Sequence, residues 1–408
     1  MQNIQRQFGS DMRPIALVTP HFPPLRTSTA VQIFALAKEF VRQGYQLIVI
    51  VPDDRLHTSW SLDTIESVNV LRLACPPILD IGFIRRAINE LLLPFAMLRG
   101  LRASPFWETT WCLVIWWSPT IFFGPFIYVL KRSLSNCRTY LILRDIFPEW
   151  AVDLGLLRKG LIYLFFRNVA KFQYSLADTI GIQSPSNLAF LPKEHIRSPR
   201  NIEVLHNWQD ELPPVGTSIV VKNTYLAGRK IFLYIGNMGI AQGMDIFIEL
   251  AEILNRREDI GFLFVGRGSE MSRLKALVVK NCLNNTIFFD EVDSSEMPSL
   301  LAQCHVGLVS LDSRHKTHNI PGKFLTYLIY GLPVLAKVNP GDLAQLIDNE
   351  GVGFVSVNES INELVSLAES IVDSADEYKK MSTQCRLTAK KLFSPTNAVR
   401  QISASIAV

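Results

Sequence analysis

From residue 231 to residue 336 the chain repeats one pattern: a short run of aliphatic and aromatic residues, a turn, then a helix with one apolar face. Strands are predicted over residues 231–235, 262–265, 287–289, 306–311 and 333–336. Helices are predicted between them, over 244–256, up to 281, over 296–303 and over 322–330. Strands that are apolar throughout and alternate with helices build a parallel sheet covered on both faces. The chain opens in the same way. A strand over 15–18 leads into a proline-rich loop, 20–28, and then a helix on which Ile33, Leu36, Ala37 and Phe40 share one face. Gly44 stops that helix, and 47–51 is the next strand. The crossover of this βαβ unit is expected to be right-handed.

The expected fold class is therefore α/β, with two doubly wound parallel-sheet (Rossmann-like) domains facing across a cleft. A length of 408 residues suits two to three domains. Residues 208–228 carry Pro213, Pro214 and Gly216 and show no apolar period. The expected division is 1–208 for the first domain, 209–228 for a linker and 229–392 for the second domain. Residues 393–408 are expected to form a helix crossing back to the first, after a break at Ser394-Pro395. Ligands of open α/β sheets bind beyond the carboxyl ends of the strands.

Charged residues make up 19% of the chain and hydrophobic ones 48%, which excludes disorder. The net charge of +4 is uneven: residues 1–205 hold 22 of the 41 Lys/Arg and 15 of the 37 Asp/Glu. A basic half suits anionic lipid, a polyanionic substrate or nucleic acid, and it also arises by chance. The six cysteines are scattered with no metal-ligand spacing, as reduced core thiols are. With no signal-peptide pattern at the start, a cytoplasmic protein is expected. Residues 111–130 carry no charge and have the length of a membrane span. Pro119, Gly124 and Pro125 interrupt them, so a buried strand followed by a short helix is the favoured reading. Residues 81–102, apolar with Arg85, Arg86, Arg99 and Arg102, suit a helix lying on a membrane, or one packed on its own sheet with solvated arginines.

Four segments could carry chemistry. Gly236-Asn237-Met238-Gly239, continuing to Gln242-Gly243, joins a strand to a helix, where glycines let a phosphate approach the backbone. The same composition also makes ordinary tight turns. Gly266-Arg267-Gly268 is a second loop, whose arginine could face a diphosphate or simply be solvated. The third runs from His318 through Ile320, Pro321, Gly322 and Lys323 to Thr326 and Tyr327. Proline suits a helix start, whereas a lysine in the first turn opposes the helix dipole unless an anion sits with it. In the first half, Arg144 and Asp145 follow a strand and precede Glu149. Asp145 could act as a base or position a hydroxyl, and the pair could equally be a local ion pair.

With these segments in place the chain resembles glycosyltransferase family 4, retaining enzymes with the GT-B fold. The resemblance rests on the opening TPHFPP, the DIFPE segment, the HNW junction, the GNMGIAQGMD and VGRGSE loops, and IPGKFLTYLIYGLPVLA. The most similar subgroup makes bacterial O-antigen or capsule polysaccharide, and within it the L-fucosamine (N-acetyl-L-fucosamine) transferases. The resemblance implies a nucleotide-sugar donor, UDP-linked, on the second domain, with diphosphate over the Gly236 loop and Lys323. Asp145, Lys323 and Arg267 would be catalytic. Gly236, Asn237, Gln242, Gly266, Gly268, Glu291, His318, Ile320, Pro321, Gly322 and Thr326 would bind the donor. Pro23, Pro24, Arg144 and Glu149 would meet a polyprenyl-diphosphate-linked saccharide. No cofactor, no metal and no nucleic acid are implied. The protein would sit on the inner face of the bacterial cytoplasmic membrane.

The chain departs from the family pattern at three places. The usual acid-x7-acid motif falls on His318 and Thr326, the basic residues of the first glycine loop are Asn237 and Gln242, and a first-domain histidine aligns with Asp145. A catalytically degenerate subunit, a sugar-nucleotide epimerase on the same architecture and an integral membrane protein are the competing readings. A nucleotide dehydrogenase is disfavoured, since no GxGxxG follows the first strand.

Overall fold

The computed structural model describes residues 13–406 apart from 26, 79–80, 119, 133, 154, 192–200, 313–319 and 359. It divides into two compact units, Met1–Asn207 with Pro395–Val408, and Trp208–Ser394.

Among the described residues the first unit holds eight strands: β1 (Ile15–Val18), β2 (Leu47–Asp53), β3 (Trp60–Ile65), β4 (Val68–Ala74), β5 (Leu113–Ser118), β6 (Arg138–Leu143), β7 (Thr179–Ile182) and β8 (Asn201–Val204). Its helices are α1 (Ser28–Arg42), α2 (Phe83–Ala103), α3 (Gly124–Lys131), α4 (Glu149–Asp153) and α5 (Leu161–Ser175). The second unit adds β9 (Lys230–Asn237), β10 (Ile260–Arg267), β11 (Thr286–Phe289), β12 (Val306–Ser310), β13 (Val334–Lys337) and β14 (Gly353–Ser356). Its helices are α6 (Asp245–Ile253), α7 (Met271–Lys280), α8 (Met297–Leu301), α9 (Gly322–Ile329), α10 (Asp342–Glu350), α11 (Ile361–Asp373) and α12 (Ala375–Leu392). The last helix, α13 (Pro395–Ala404), belongs to the first unit.

The first sheet runs β3-β4-β2-β1-β5-β6-β7-β8. All its neighbours are parallel except β3, which pairs antiparallel with β4. The β3–β4 hairpin turns on Glu66 and Ser67, both at positive φ (44° and 71°), the conformation a two-residue hairpin demands. Neither residue is the asparagine or glycine that announces such a turn, so the sequence carries no signal for this edge strand. The second sheet is fully parallel, ordered β11-β10-β9-β12-β13-β14. Counted along the chain this is 3-2-1-4-5-6, the doubly wound order whose direction reverses between its first and fourth strands. In each unit the reversal lies at one place: between β1 and β5, and between β9 and β12.

Central strands such as β1 and β12 are buried at every residue because helices cover both faces. The charge-free stretch 111–130 resolves into β5, buried throughout, and α3. Among the described residues no helix is long and apolar enough to cross a membrane. The segment expected to link the domains packs within the second unit. Ile219, Val221 and Leu226 are buried in its core, and the Gln303 side chain accepts from the Val221 N–H at 2.8 Å and donates to the Ile219 carbonyl at 3.0 Å. In the first unit α13 lies against α1, and Gln401 donates to the Val204 carbonyl at 3.1 Å.

Candidate functional site

In the second unit β9 and β12 pair only at Phe232 with Val306 and at Leu233 with Gly307. Beyond that the Ile235 N–H donates to the Tyr327 hydroxyl at 3.0 Å instead of to a strand. Tyr327 reaches this position because Gly307 has no side chain: a Cβ there would lie 2.3 Å from the tyrosine ring. The two strands thus part at the reversal of strand order, where a doubly wound sheet opens its crevice.

The β9 end supplies Gly236, whose φ of +108° favours glycine. A Cβ on it would meet nothing nearer than Lys323 Cε at 4.0 Å, so the backbone here is open to an approaching group. Lys323 stands at the second position of α9, after Pro321 at the N-cap and the exposed Gly322. Its Nζ lies 3.5 Å from the centroid of the Tyr234 ring. Desolvation lowers its pKa from the ordinary lysine value to about 7. A half-buried ammonium at the positive end of a helix is electrostatically unfavourable without an anion, and an aromatic face offsets only part of that.

The β10 loop lies against the β9 loop. Gly266 pairs with Gly236 and Arg267 with Asn237, extending the ladder. A Cβ on Gly266 would lie 1.9 Å from the Gly236 carbonyl oxygen, and one on Gly268 would lie 2.3 Å from that of Met238. The Met238 N–H donates to the Arg267 carbonyl at 2.7 Å. Backbone contact between the two loops therefore accounts for Gly266 and Gly268, whatever else they serve. Gln242 closes the first loop by accepting from the Gly239 N–H at 3.0 Å, with the Asn237 side-chain amide at 3.4 Å. Ser310, at the end of β12, donates to the Gln242 carbonyl at 2.6 Å and fixes that loop to the sheet.

Several expected contacts are arranged differently. Arg267 and Glu291 are paired with each other at 3.1 Å, and at 78% and 56% side-chain exposure this bridge contributes little to stability. Ile320, expected beside the donor, is buried in the second core, since an apolar residue entering α9 completes that packing. The Thr326 hydroxyl lies 2.9 Å from the Gln209 side-chain oxygen and 3.2 Å from the Gly322 carbonyl, so it serves the fold. His318 falls outside the described residues.

In the first unit the Pro23–Pro24 turn is held from below. The buried Arg72 donates to the Pro23 carbonyl at 2.5 Å and to Asp63 at 2.8 Å, with Asp53 at 3.4 Å. A cavity of about 280 Å³ lies between this turn and the ends of β2 and β4, lined by Phe22, Asp53, Asp54, Arg55 and Cys75 among others. Arg72 escaped sequence reasoning, though a lone arginine inside the apolar strand β4 is a usable signal. His21, also overlooked, lies half-buried with Nδ1 3.3 Å from the Thr27 hydroxyl, and desolvation followed by the nearby Arg86 lowers its pKa.

Arg144 was expected to meet an acceptor, but the residue is only 6% exposed. It donates to the Leu205 and His206 carbonyls at 2.7 and 3.2 Å and lies 5.2 Å from the Trp117 ring centroid. Desolvation lowers its pKa to about 9. It ties the strand ends together rather than facing a ligand. Glu149 accepts from the Tyr163 hydroxyl at 3.2 Å. Asp145 is exposed. Desolvation raises its pKa, and the Arg144 charge opposes that shift.

Comparison with known proteins agrees with this architecture. Residues 219–388 match the family Glycosyl transferases group 1. The chain is 27% identical over 250 residues to the probable glycosyltransferase WbjE of Pseudomonas aeruginosa, covering 60% of this chain and 61% of that protein. It is 25% identical over 301 residues to the putative colanic acid biosynthesis glycosyl transferase WcaI of Escherichia coli K12, covering 69% and 70%. The match thus spans about three fifths of the length of WbjE. The structure of Anabaena HepE in complex with UDP superposes with a TM-score of 0.64 at 15% identity over 97% of this chain and 99% of HepE. The chain has the parallel-sheet α/β fold of GT-B glycosyltransferases, and residues 219–388, within its second unit, are similar to the glycosyl transferases group 1 family.

Proposed function

We propose that the protein is a nucleotide-sugar-dependent glycosyltransferase of polysaccharide biosynthesis. It moves a sugar from a nucleoside diphosphate donor, UDP-linked, to a polyprenyl-diphosphate-linked saccharide at the inner face of a bacterial cytoplasmic membrane. The observation that carries this reading is Lys323: a desolvated ammonium beside the open backbone of Gly236, at the strand reversal of a group 1 domain. The neighbour HepE is described with UDP, which supports the same nucleotide here.

On this reading the bond between the anomeric carbon and the diphosphate oxygen breaks, and its electron pair leaves with the diphosphate. Lys323 and the amino end of α9 hold the charge that develops there. The acceptor hydroxyl oxygen bonds to the anomeric carbon on the face the diphosphate leaves, so configuration is retained. Its proton passes toward the departing phosphate. Asp145 accepts the hydroxyl's hydrogen bond and positions it. Charge neutralisation by side chains asks for no metal. N-acetyl-L-fucosamine is the sugar that the sequence resemblance favours.

One observation favours a second reading, a nucleotide-sugar-binding subunit without turnover. At the second acid position of the family motif stands Thr326, its hydroxyl engaged by Gln209. The test is a transfer assay on the full chain with a panel of nucleotide sugars and a polyprenyl-diphosphate-GlcNAc analogue, with EDTA present. Transfer from one donor is expected. UDP binding without transfer from any donor establishes the second reading, and neither binding nor transfer overturns both.

A further inference from the structure

The largest exposed apolar side chains of the first unit gather on helices that cover one side of its sheet. The inner faces of α2, α3 and α5 share one core through Leu93, Met97, Phe126, Ile127, Ala170 and Tyr174. Their outer faces should then be polar, as on any surface helix. They are not. On α5, Leu161 is 86% exposed, Ile162 64% and Phe165 48%, with Leu164 and Phe172 exposed on the same helix. On α2, Ile88, Leu92 and Phe95 are exposed. They fall on one heptad-spaced stripe with Arg85 before them and Arg99 and Arg102 after them.

The charge on this layer is predominantly positive. Residues 154–177 contain Arg158, Lys159, Arg167 and Lys171 and no acidic residue. In α2 four arginines accompany a single acid, Glu90, which Arg86 holds at 2.8 Å. Apolar side chains at the centre of a helix face with cations at its margins are what the boundary between headgroups and acyl chains accepts. An anionic leaflet adds about 1 kcal/mol for each lysine or arginine near it. A protein partner would have to match both features over two helices, whereas a bilayer surface does so without specific fit.

We propose that the outer face of the α2–α3–α5 layer docks the protein on a membrane surface bearing anionic headgroups. The inference deepens the functional reading by naming the surface that meets the lipid, and it rests on that reading only for the presence of a membrane. The sequence suggests α2 as a helix lying on a membrane, and residues 111–130 only as a competing membrane span. The apolar face of α5 emerges only from the exposure of its side chains.

The test is sedimentation of the full chain with vesicles of phosphatidylcholine alone or mixed with phosphatidylglycerol, in parallel with calorimetric UDP binding. Wild type is expected to bind the anionic vesicles and to be released by salt. Ile162→Glu with Phe165→Glu, and separately Arg158→Glu with Lys159→Glu, should each weaken vesicle binding by about tenfold or more. UDP binding in both variants should match wild type, which shows that they fold. Equal vesicle binding by wild type and variants overturns the proposal, as does wild-type indifference to anionic lipid. A concentration-dependent dimer dissolved by the same variants also overturns it and gives the face to a second copy. Vesicle binding without UDP binding would refute the donor site and leave the docking face standing.

Discussion

If Lys323 waits for a diphosphate, donor binding must take up a proton. In the free protein its pKa is about 7, because desolvation penalises the ammonium. A bound diphosphate reverses that penalty and returns the value toward the ordinary ~10.4 of lysine. Near pH 8.5 only about 3% of the free protein then carries the charge, so apparent donor affinity falls about 30-fold from its value near pH 6, or about 2 kcal/mol. The ligand should be a nucleotide sugar, since its diphosphate lacks the terminal phosphate proton that titrates near ~6. Calorimetry near pH 8, repeated in buffers of different ionisation enthalpy, should report uptake of about 0.9 proton per donor bound. Lys323→Met should bind weakly with no uptake. Lys323→Arg, charged at every pH used, should bind with no pH dependence. A wild-type affinity that is flat between about pH 6 and 9, or equal proton uptake in Lys323→Met, refutes the assignment.

The same residue affects stability with a definite sign. Its folded pKa lies below the unfolded value, so Lys323→Met should raise the Tm of the ligand-free protein near pH 6, and the gap should close as pH rises toward ~10.4. In the transfer assay Lys323→Ala should lower turnover by about a hundredfold, and a fall of less than about threefold removes it from catalysis. Asp145→Asn should impair transfer while the thermal melt is unchanged; intact transfer excludes it from the site. Arg72→Met removes the donor to Asp63 and the Pro23 carbonyl, leaves Asp53 with Arg55 alone, and should cost about 3 kcal/mol in urea unfolding. Gly266→Ala meets the Gly236 carbonyl and should cost about 3 kcal/mol or more, whereas Gly322→Ala, with nothing within 4 Å, should change stability by less than about 0.5 kcal/mol.

The sheets were legible because strands buried on both faces carry continuous apolar runs, and glycines mark where β9 and β10 end. What escaped were features whose signal lies outside local pattern. The β3–β4 hairpin turns on Glu66 and Ser67, which adopt positive φ only because the strands impose it. The segment 209–228 shows no period because it is held by side chains of its own unit, Tyr330, Ser299 and Gln303, and by three separate apolar contacts, with a single 3-10 turn at Val221–Asn223. In the proposed site, the sequence marks Lys323 by its misfit with the helix dipole. Tyr234 and Tyr327, which give that lysine its aromatic face and part the two strands, looked like ordinary core. Arg144 misled in the opposite direction. Beside Asp145 at a strand end it looked like a ligand contact, yet its fork is consumed by the carbonyls of Leu205 and His206.

The departures from the family pattern are physically connected. Two cations are absent from the first glycine loop, where Asn237 and Gln242 stand, and two acids are absent at positions 318 and 326. An acid at position 326 would stand one turn from Lys323 on the same helix, the spacing at which side chains meet. There it would raise the lysine pKa by direct attraction, and the ammonium would be neutralised before any ligand arrived. With threonine there instead, its hydroxyl turned to Gln209, Lys323 stays desolvated and only partly protonated near neutral pH. The missing carboxylate thus leaves the site more dependent on an incoming anion, and it makes the proton uptake argued above a consequence of the substitution itself.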